Sequence, residues 1–372
     1  MIDVRLTSID GPPGVGKTTT IIRDSATFPE NSCIITYTNS AADELKKRAS
    51  HLSAGTIYSV SWPFVKQYSK GVTKKFKAQA NWATRPVHHL LDPALVNYEL
   101  SAPSRQAKRI EDELSTRIHA WIEGPPPIPL AKLEPKGGLR FLLPISRWVE
   151  AGCPANGQKK FELLIIDEAQ DMSALEMRAA LGMLAPNGKA YAYGDPGQAI
   201  FARAKGLQGS ALPPAWELAR DGQILKGGWR VGEPCASLAA AALRSYYDRP
   251  ASTFAAEHKT EVLTWEPNQR PLRGLVLGYS RAIVAKYFRK WGLTQSAVVP
   301  AVGRAERELI ICTGHAAKGE EADEVYLLPW SKPGTLKLDH RDPEAVRLLY
   351  VMVTRAKKRL YLPRALRARI NS

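Results

Sequence analysis

The chain has 372 residues, 44% of them hydrophobic, which is enough to build cores in two domains. Lys and Arg total 52 against 36 Asp and Glu, and the resulting +16 points to a polyanionic partner, either nucleic acid or an anionic surface. The longest apolar runs, such as Leu163 to Ile166, are far too short to span a bilayer, so a membrane-spanning class is excluded. Met1 is followed by Ile2, Asp3, Val4 and Arg5 with no charged-then-apolar leader, and a cytoplasmic setting, in a bacterium or in the host cell of a virus, is expected. "VRLTSI" reads as a first strand, a glycine-rich loop follows, and a helix is predicted to open near Lys17. "SCIITYT" is a second strand, and "SAADELKKRA" a helix in which Ser40 and Asp43 have capping-box spacing.

Residues 62 to 160 interrupt this alternation. They carry 16 basic and 8 acidic residues, an amphipathic helix with Ala107, Ile110, Leu114, Ile118 and Trp121 on one side, and the turn-forming run "GPPPIP". The segment reads as a mainly helical insertion in the first lobe. Its start interleaves Trp62, Phe64, Tyr68, Phe76 and Trp82 with Lys66, Lys70, Lys74, Lys75 and Lys77. That pattern suits either a single-strand platform or a packed subdomain with a basic face. The alternation then resumes. "LLIID" is a short buried strand, Ser173 and Glu176 cap a helix running to about Leu184, and "AYAYGD" is a strand. In the second half, "GLVLGY", "ELIICT", "EVYLLP" and "RLYL" are strands. Helices are expected over "SRAIVAKYFRKW", with Ile283, Val284, Tyr287, Phe288 and Trp291 on one face, and over "PEAVRLLYVMVTRA". Strand-helix alternation of this kind predicts two α/β lobes with parallel sheets. The expected boundaries are 1–61 with 161–225 for the first lobe and 226–372 for the second. Cys33, Cys153, Cys235 and Cys312 share no metal spacing and are expected to be structural thiols.

Gly11, Pro12, Pro13, Gly14, Val15, Gly16, Lys17 and Thr18 fit G-x-x-x-x-G-K-[ST] between a strand and a helix, with Thr19 following. The glycines turn backbone N–H groups toward phosphate, and the helix N-terminus adds partial positive charge. Lys17 would reach the β and γ phosphates of ATP, and Thr18 would ligate Mg²⁺. Asp167, at the end of a buried strand, is the matching Mg²⁺-organising carboxylate, and Glu168 is placed to orient and deprotonate an attacking water.

Eight segments in order carry a more specific resemblance. They are the glycine loop, "TYTNSAADELKKR", "GTIYS", "IIDEAQDM", "AYGDPGQAIF", "GGWRVGEP", "CTGHAAKGEEADEVYLLP" and "LLYVMVTRAKKRLYL". Together they resemble the motor motifs of superfamily 1 helicases, most closely the UvrD/Rep type, from residue 4 to about residue 362. The resemblance implies two RecA-like P-loop lobes. It implies that Gln198 senses the γ-phosphate and that Arg230 and Arg355 act as arginine fingers. It places Trp229 where the family stacks the nucleobase and Glu321 where it binds the ribose. It puts Tyr37, Thr38, Asn39, Thr56, Tyr58, Ser59 and His315 along a single strand, and Arg203 at a position where the family carries a base-packing aromatic.

The chain departs from the family pattern in two further ways. Ten residues precede Gly11, without room for an upstream glutamine segment that reads adenine, so weak base discrimination is expected. The short interval from Arg281 to Thr313 implies a compact form lacking the large accessory subdomain of the second lobe. The function implied is an ATP-dependent, 3′–5′ single-stranded DNA translocase and helicase acting on single strands and single/double-strand junctions, with replication or repair proteins as partners. The alternatives are an RNA helicase or a nucleotide-gated DNA-binding module that recruits replication or nuclease partners. A P-loop kinase is disfavoured, because it would not carry a second lobe bearing "TRAKK".

Overall fold

The computed structural model describes residues 5–69, 139–201, 212–244, 246–293, 309–329, 343–364 and 366–367. The chain divides into two compact units. The first comprises residues 1–10, 17–194 and 201–223; the second comprises 11–16, 195–200 and 224–372. Among the described residues, no helix is long and apolar enough to cross a membrane.

The first unit is built on a six-stranded sheet of order β3-β2-β4-β5-β1-β6. Its strands are β1 (Arg5–Asp10), β2 (Ser32–Thr36), β3 (Ser53–Thr56), β4 (Phe161–Ile166), β5 (Leu184–Gly194) and β6 (Asp221–Ile224). The pairings β2·β3, β2·β4, β4·β5 and β1·β5 are all parallel. Parallel strands covered by helices read as continuous apolar runs, and every residue of β2 is buried. The helices are α1 (Lys17–Asp24), α2 (Asn39–Arg48), α3 (Ile57–Val65), α4 (Leu139–Glu150), α5 (Ala174–Gly182) and the short α6 (Pro214–Leu218).

Two local expectations are corrected here. Helix α2 is capped by Thr38 rather than by Ser40: Thr38 has extended backbone and its hydroxyl accepts from the Ala41 N–H at 3.2 Å. Helix α3 runs through Trp62 and Pro63 to Val65, past the expected edge of the insertion. A proline in this last turn forfeits one hydrogen bond. Burial of Phe64 and Val65 carries the helix past it, in a core that also holds Ile145 and Trp148 of α4. The Phe64 and Trp148 rings lie 5.6 Å apart, and Trp148 Nε1 donates to the Pro154 carbonyl at 2.9 Å. Phe64 is thus a core residue and not a platform for bases. Trp62 and Tyr68 also lie half-buried against that core. Phe76, Trp82, Lys70, Lys74, Lys75, Lys77 and the helix expected around Ile110 lie outside the described residues. The capping box of Ser173 and Glu176 on α5 forms as the sequence indicates.

The second unit holds another six-stranded sheet, of order β10-β9-β11-β12-β8-β7. Its strands are β7 (Val231–Pro234), β8 (Ala255–Trp265), β9 (Gly274–Gly278), β10 (Leu309–Thr313), β11 (Ala322–Leu327) and β12 (Ala356–Pro363), all paired in parallel. Helices α7 (Cys235–Leu243), α8 (Arg281–Lys290) and α9 (Pro343–Val353) accompany it. The apolar face expected on α8 is the packed one: Tyr287 and Phe288 are buried, with Ile283, Val284 and Trp291 against the same cluster. Every residue of α9 from Ala345 to Val353 is buried, so its end and the following Arg355 are held within a rigid core. All four cysteines are free thiols and buried, and burial raises each of their pKa values, as suits small apolar side chains. The two parallel sheets with their helices are consistent with two RecA-like lobes.

Candidate active site

In the first unit, three strand ends present polar residues on one edge of the sheet. Asp167 follows β4, Tyr37 and Thr38 follow β2, and Thr56 ends β3. Ligands of open α/β sheets bind outside the carboxyl ends of the strands. Lys17 is the first residue of α1, whose first turn carries no acid. A cation there opposes the helix dipole, a placement that an anionic ligand reverses. Next to it, Thr18 Oγ1 donates to Asp167 Oδ2 at 3.1 Å. Asp167 is buried, and desolvation followed by repulsion from Glu168 pushes its carboxyl up to about 6, against the opposing pull of Lys17 and the Thr18 hydroxyl. Two adjacent carboxylates and a hydroxyl are hard oxygen donors, and a buried acid with a raised pKa gains from a cation that replaces its proton. The donor set therefore fits Mg²⁺, which commonly takes one or two carboxylates plus phosphate and water. Among the described residues no group of three or more His, Cys, Asp or Glu side chains is gathered that could hold a metal on its own.

Glu168 stands at φ 55°, ψ 39°, in the left-handed region that non-glycine residues rarely enter. Its Oε2 accepts from Gln170 Nε2 at 2.6 Å, and Gln170 is itself buried. The strained backbone and this hydrogen bond together fix the direction of the Glu168 carboxylate.

The second unit contains the phosphate loop and the other charged groups. Gly14 and Gly16 have φ of +78° and +77°. Only glycine adopts these angles freely, and they turn successive N–H groups toward one side. The Gly14 carbonyl accepts from the Trp229 N–H at 3.0 Å, and a Cβ on Gly14 would lie 2.9 Å from the Arg230 nitrogen. Arg230 is ion-paired with Glu321 at 2.5 Å, and Lys357 approaches the other oxygen of Glu321 at 3.2 Å. Trp229 is 54% exposed, with the Arg230 guanidinium 5.4 Å from its ring centre. Gln198 lies on a 3₁₀ turn, Pro196–Gln198, that follows the buried Asp195. Arg355 Nη2 donates to Gln198 Oε1 at 3.2 Å, while its Nε donates to the Val351 carbonyl at 2.9 Å and Nη1 to the Glu320 carbonyl at 3.2 Å. Gln198, expected to sense the γ-phosphate, and Arg355, one expected arginine finger, are thus joined directly.

The chain matches an AAA domain over residues 1–204, more than half its length, and a UvrD-like helicase C-terminal domain over residues 308–362. It belongs to the AAA-domain family and carries a UvrD-like helicase C-terminal domain. No curated protein matches it. Among solved structures it is similar to the helicase of the arterivirus PRRSV, at 14% identity and a TM-score of 0.44, covering 97% of this chain and 53% of that one. It is also similar to arterivirus nonstructural protein 10 (helicase), at 18% identity and a TM-score of 0.43, covering 97% of this chain and 60% of that one. A complex of nonstructural protein 10 with DNA gives 14% identity and a TM-score of 0.43 over 96% of this chain and 60% of that one. The chain thus spans between 53% and 60% of the length of these structures.

Within this helicase-family framework the expected strand-lining residues divide by environment. Tyr37 is 37% exposed and stacks on Phe201, with ring centres 6.2 Å apart and planes 18° apart. Asn39 is exposed at the start of α2. Thr38 and Thr56 serve as N-caps of α2 and α3, and Ser59 bonds back to Thr56. Tyr58 differs: its hydroxyl donates to Glu176 Oε1 at 2.7 Å, which ties α3 to the capping box of α5. His315 lies 3.7 Å from Glu344. Arg203 lies outside the described residues. Reading the sequence missed Phe201, although it closes the run "AYGDPGQAIF" and is the aromatic that the structure pairs with Tyr37. It also missed Gln170 and Lys318, whose Nζ donates to the Gln198 carbonyl at 3.1 Å. Lys318 lies within "GHAAKGEE", where its charge reads as surface lysine.

Proposed function

We propose that this protein is an ATP-driven motor that moves 3′ to 5′ on single-stranded DNA and opens duplex at single/double-strand junctions. The phosphate loop and Lys17 would bind the triphosphate, and Thr18 and Asp167 would hold Mg²⁺. The metal would neutralise phosphate charge and organise the oxygens around the transferred phosphoryl group. Glu168 would orient the attacking water and take its proton. Arg230 and Arg355 would stabilise the charge developing on the leaving phosphates. Trp229 would stack on the base and Glu321 would hold the ribose, after its ion pair with Arg230 exchanges partners. The change of nucleotide state on hydrolysis would drive the movement along the strand.

The observation that carries this reading is the hydrogen bond from Arg355 to Gln198. It joins a cation suited to phosphoryl transfer to the amide that would detect the γ-phosphate. A simple nucleotide-gated clamp has no need of that pairing. The strand would pass along Tyr37, Thr38, Asn39, Thr56, Ser59 and His315, with the Tyr37–Phe201 pair as its stacking surface. Displacement of streptavidin from oligonucleotides biotinylated at either end tests the proposal. ATP-dependent release from the 5′ end of single-stranded DNA supports 3′–5′ movement. Release from the 3′ end reverses the polarity, release from RNA alone reassigns the substrate, and release from neither end in the presence of hydrolysis removes the motor.

A further inference from the structure

Asp195 has no solvent exposure, and a carboxylate there requires a cation and a full set of donors. Arg249 supplies the cation. It lies beyond α7, in none of the segments that resemble helicase motifs, and its side chain is 2% exposed. Arg249 Nη1 donates to Asp195 Oδ1 at 2.8 Å and to the Tyr350 hydroxyl oxygen at 2.8 Å. The Tyr350 hydroxyl in turn donates to Asp195 Oδ2 at 3.1 Å. The same carboxylate accepts the Gly197 N–H at 2.9 Å and Gln198 Nε2 at 2.8 Å. Gln198 therefore has its NH₂ on a carboxylate and its carbonyl on the Arg355 guanidinium. Turning the amide over would set oxygen against oxygen at one end and donor against donor at the other, so charge alone fixes its orientation. The turn is also fixed sterically. A Cβ on Gly197 would lie 2.8 Å from Leu243 and 2.9 Å from Tyr350, which keeps the turn seated against α7 and α9.

We propose that Arg249 is a positioning residue for nucleotide hydrolysis: by keeping Asp195 ionised it holds the Gln198 amide in the one orientation that presents its carbonyl to Arg355, with Tyr350 closing the cluster. The proposal rests on the reading of Gln198 as the γ-phosphate sensor. Arg249 touches neither nucleotide nor strand in this scheme. Its loss leaves a buried carboxylate without its cation, which takes up a proton or releases the amide, and either event frees Gln198 to rotate.

The test is a double-mutant cycle on single-strand-stimulated hydrolysis with the full chain. Arg249→Met should lower kcat roughly 10- to 100-fold, the coupling range for residues sharing one hydrogen-bond network, with nucleotide KM within about threefold. Arg249→Lys should recover part of the loss. In a Gln198→Ala background, Arg249→Met should cost no further activity. A merely structural role predicts instead that the two losses multiply, and that outcome overturns the proposal. Tyr350→Phe keeps the packing and removes one donor. It should lower kcat with the same non-additivity, and it serves if Arg249→Met does not fold. Wild-type kcat in Arg249→Met and in Tyr350→Phe also refutes the positioning role. Absence of hydrolysis in the wild-type chain, by contrast, refutes the functional reading beneath it.

Discussion

The turn from Asp195 to Ile200 and the segment from Tyr37 to Asn39 both follow strand ends, yet they are built in opposite ways. In the turn, Asp195, Gln198 and the adjoining Arg355 are buried and hydrogen-bonded to one another, and their side chains have defined partners before any ligand arrives. In the Tyr37 segment, the side chains from Tyr37 to Asn39 are exposed, and the Tyr37 ring stacks on Phe201. The difference matches the roles proposed for each. Groups that stabilise a transition state gain from being fixed in advance, because no reorganisation is then needed during reaction. Groups that grip a polymer must remain open to it, and their interactions are completed by the ligand.

The largest break in this comparison should come from the preorganised side. Arg355→Ala removes a charge that is 1% exposed and hydrogen-bonded to Gln198. It is expected to lower strand-stimulated turnover about 10³-fold or more, the range for arginine fingers, with nucleotide and strand affinity kept within about tenfold. Steady-state kinetics with saturating strand checks this.

Asp167 sharpens the same point through stability. Its carboxyl is raised from 3.8 to about 6, so the folded state holds the proton more tightly than the unfolded chain does. The stabilisation this provides is complete below the unfolded value and is lost as pH rises through about 6. Asp167→Asn cannot ionise. It should be more stable than the parent near neutral pH, by up to about 3 kcal/mol, and lose that advantage near pH 4, while Mg²⁺-dependent hydrolysis is abolished. Thermal melting at the two pH values, in the absence of Mg²⁺, reads the sign directly.

The smallest effect is expected on the open side. Tyr37→Ala should raise the strand concentration for half-maximal hydrolysis by an amount equivalent to about 1–3 kcal/mol, the cost of losing one base–aromatic stack. Fluorescence anisotropy with labelled oligonucleotides measures it. A loss of turnover at saturating strand as large as that of Arg355→Ala would reverse the comparison.

Legibility in the sequence followed the same division. Strand-helix alternation gave both sheets, because buried parallel strands leave short apolar runs between helix caps. The phosphate loop and the Asp167–Glu168 pair were legible because their chemistry depends on neighbours in the chain. Phe64 was not, because an aromatic among lysines reads alike whether it faces solvent or Trp148, and only the tertiary contact decides. The cap of α2 is Thr38, two residues before the expected Ser40, since Thr38, Asn39 and Ser40 form a run of three cap-forming residues. Arg249 left no local signal at all: its partner Asp195 is 54 positions away.

The central claim is that the proposed motor hydrolyses nucleotide in response to a bound single strand. It is tested most directly by the ratio of nucleotide hydrolysis rates with saturating single-stranded DNA and with none, measured on the intact chain at one salt concentration. The account predicts stimulation of at least about tenfold, equivalent to ~1.4 kcal/mol of barrier. Equal rates with and without the strand would contradict it.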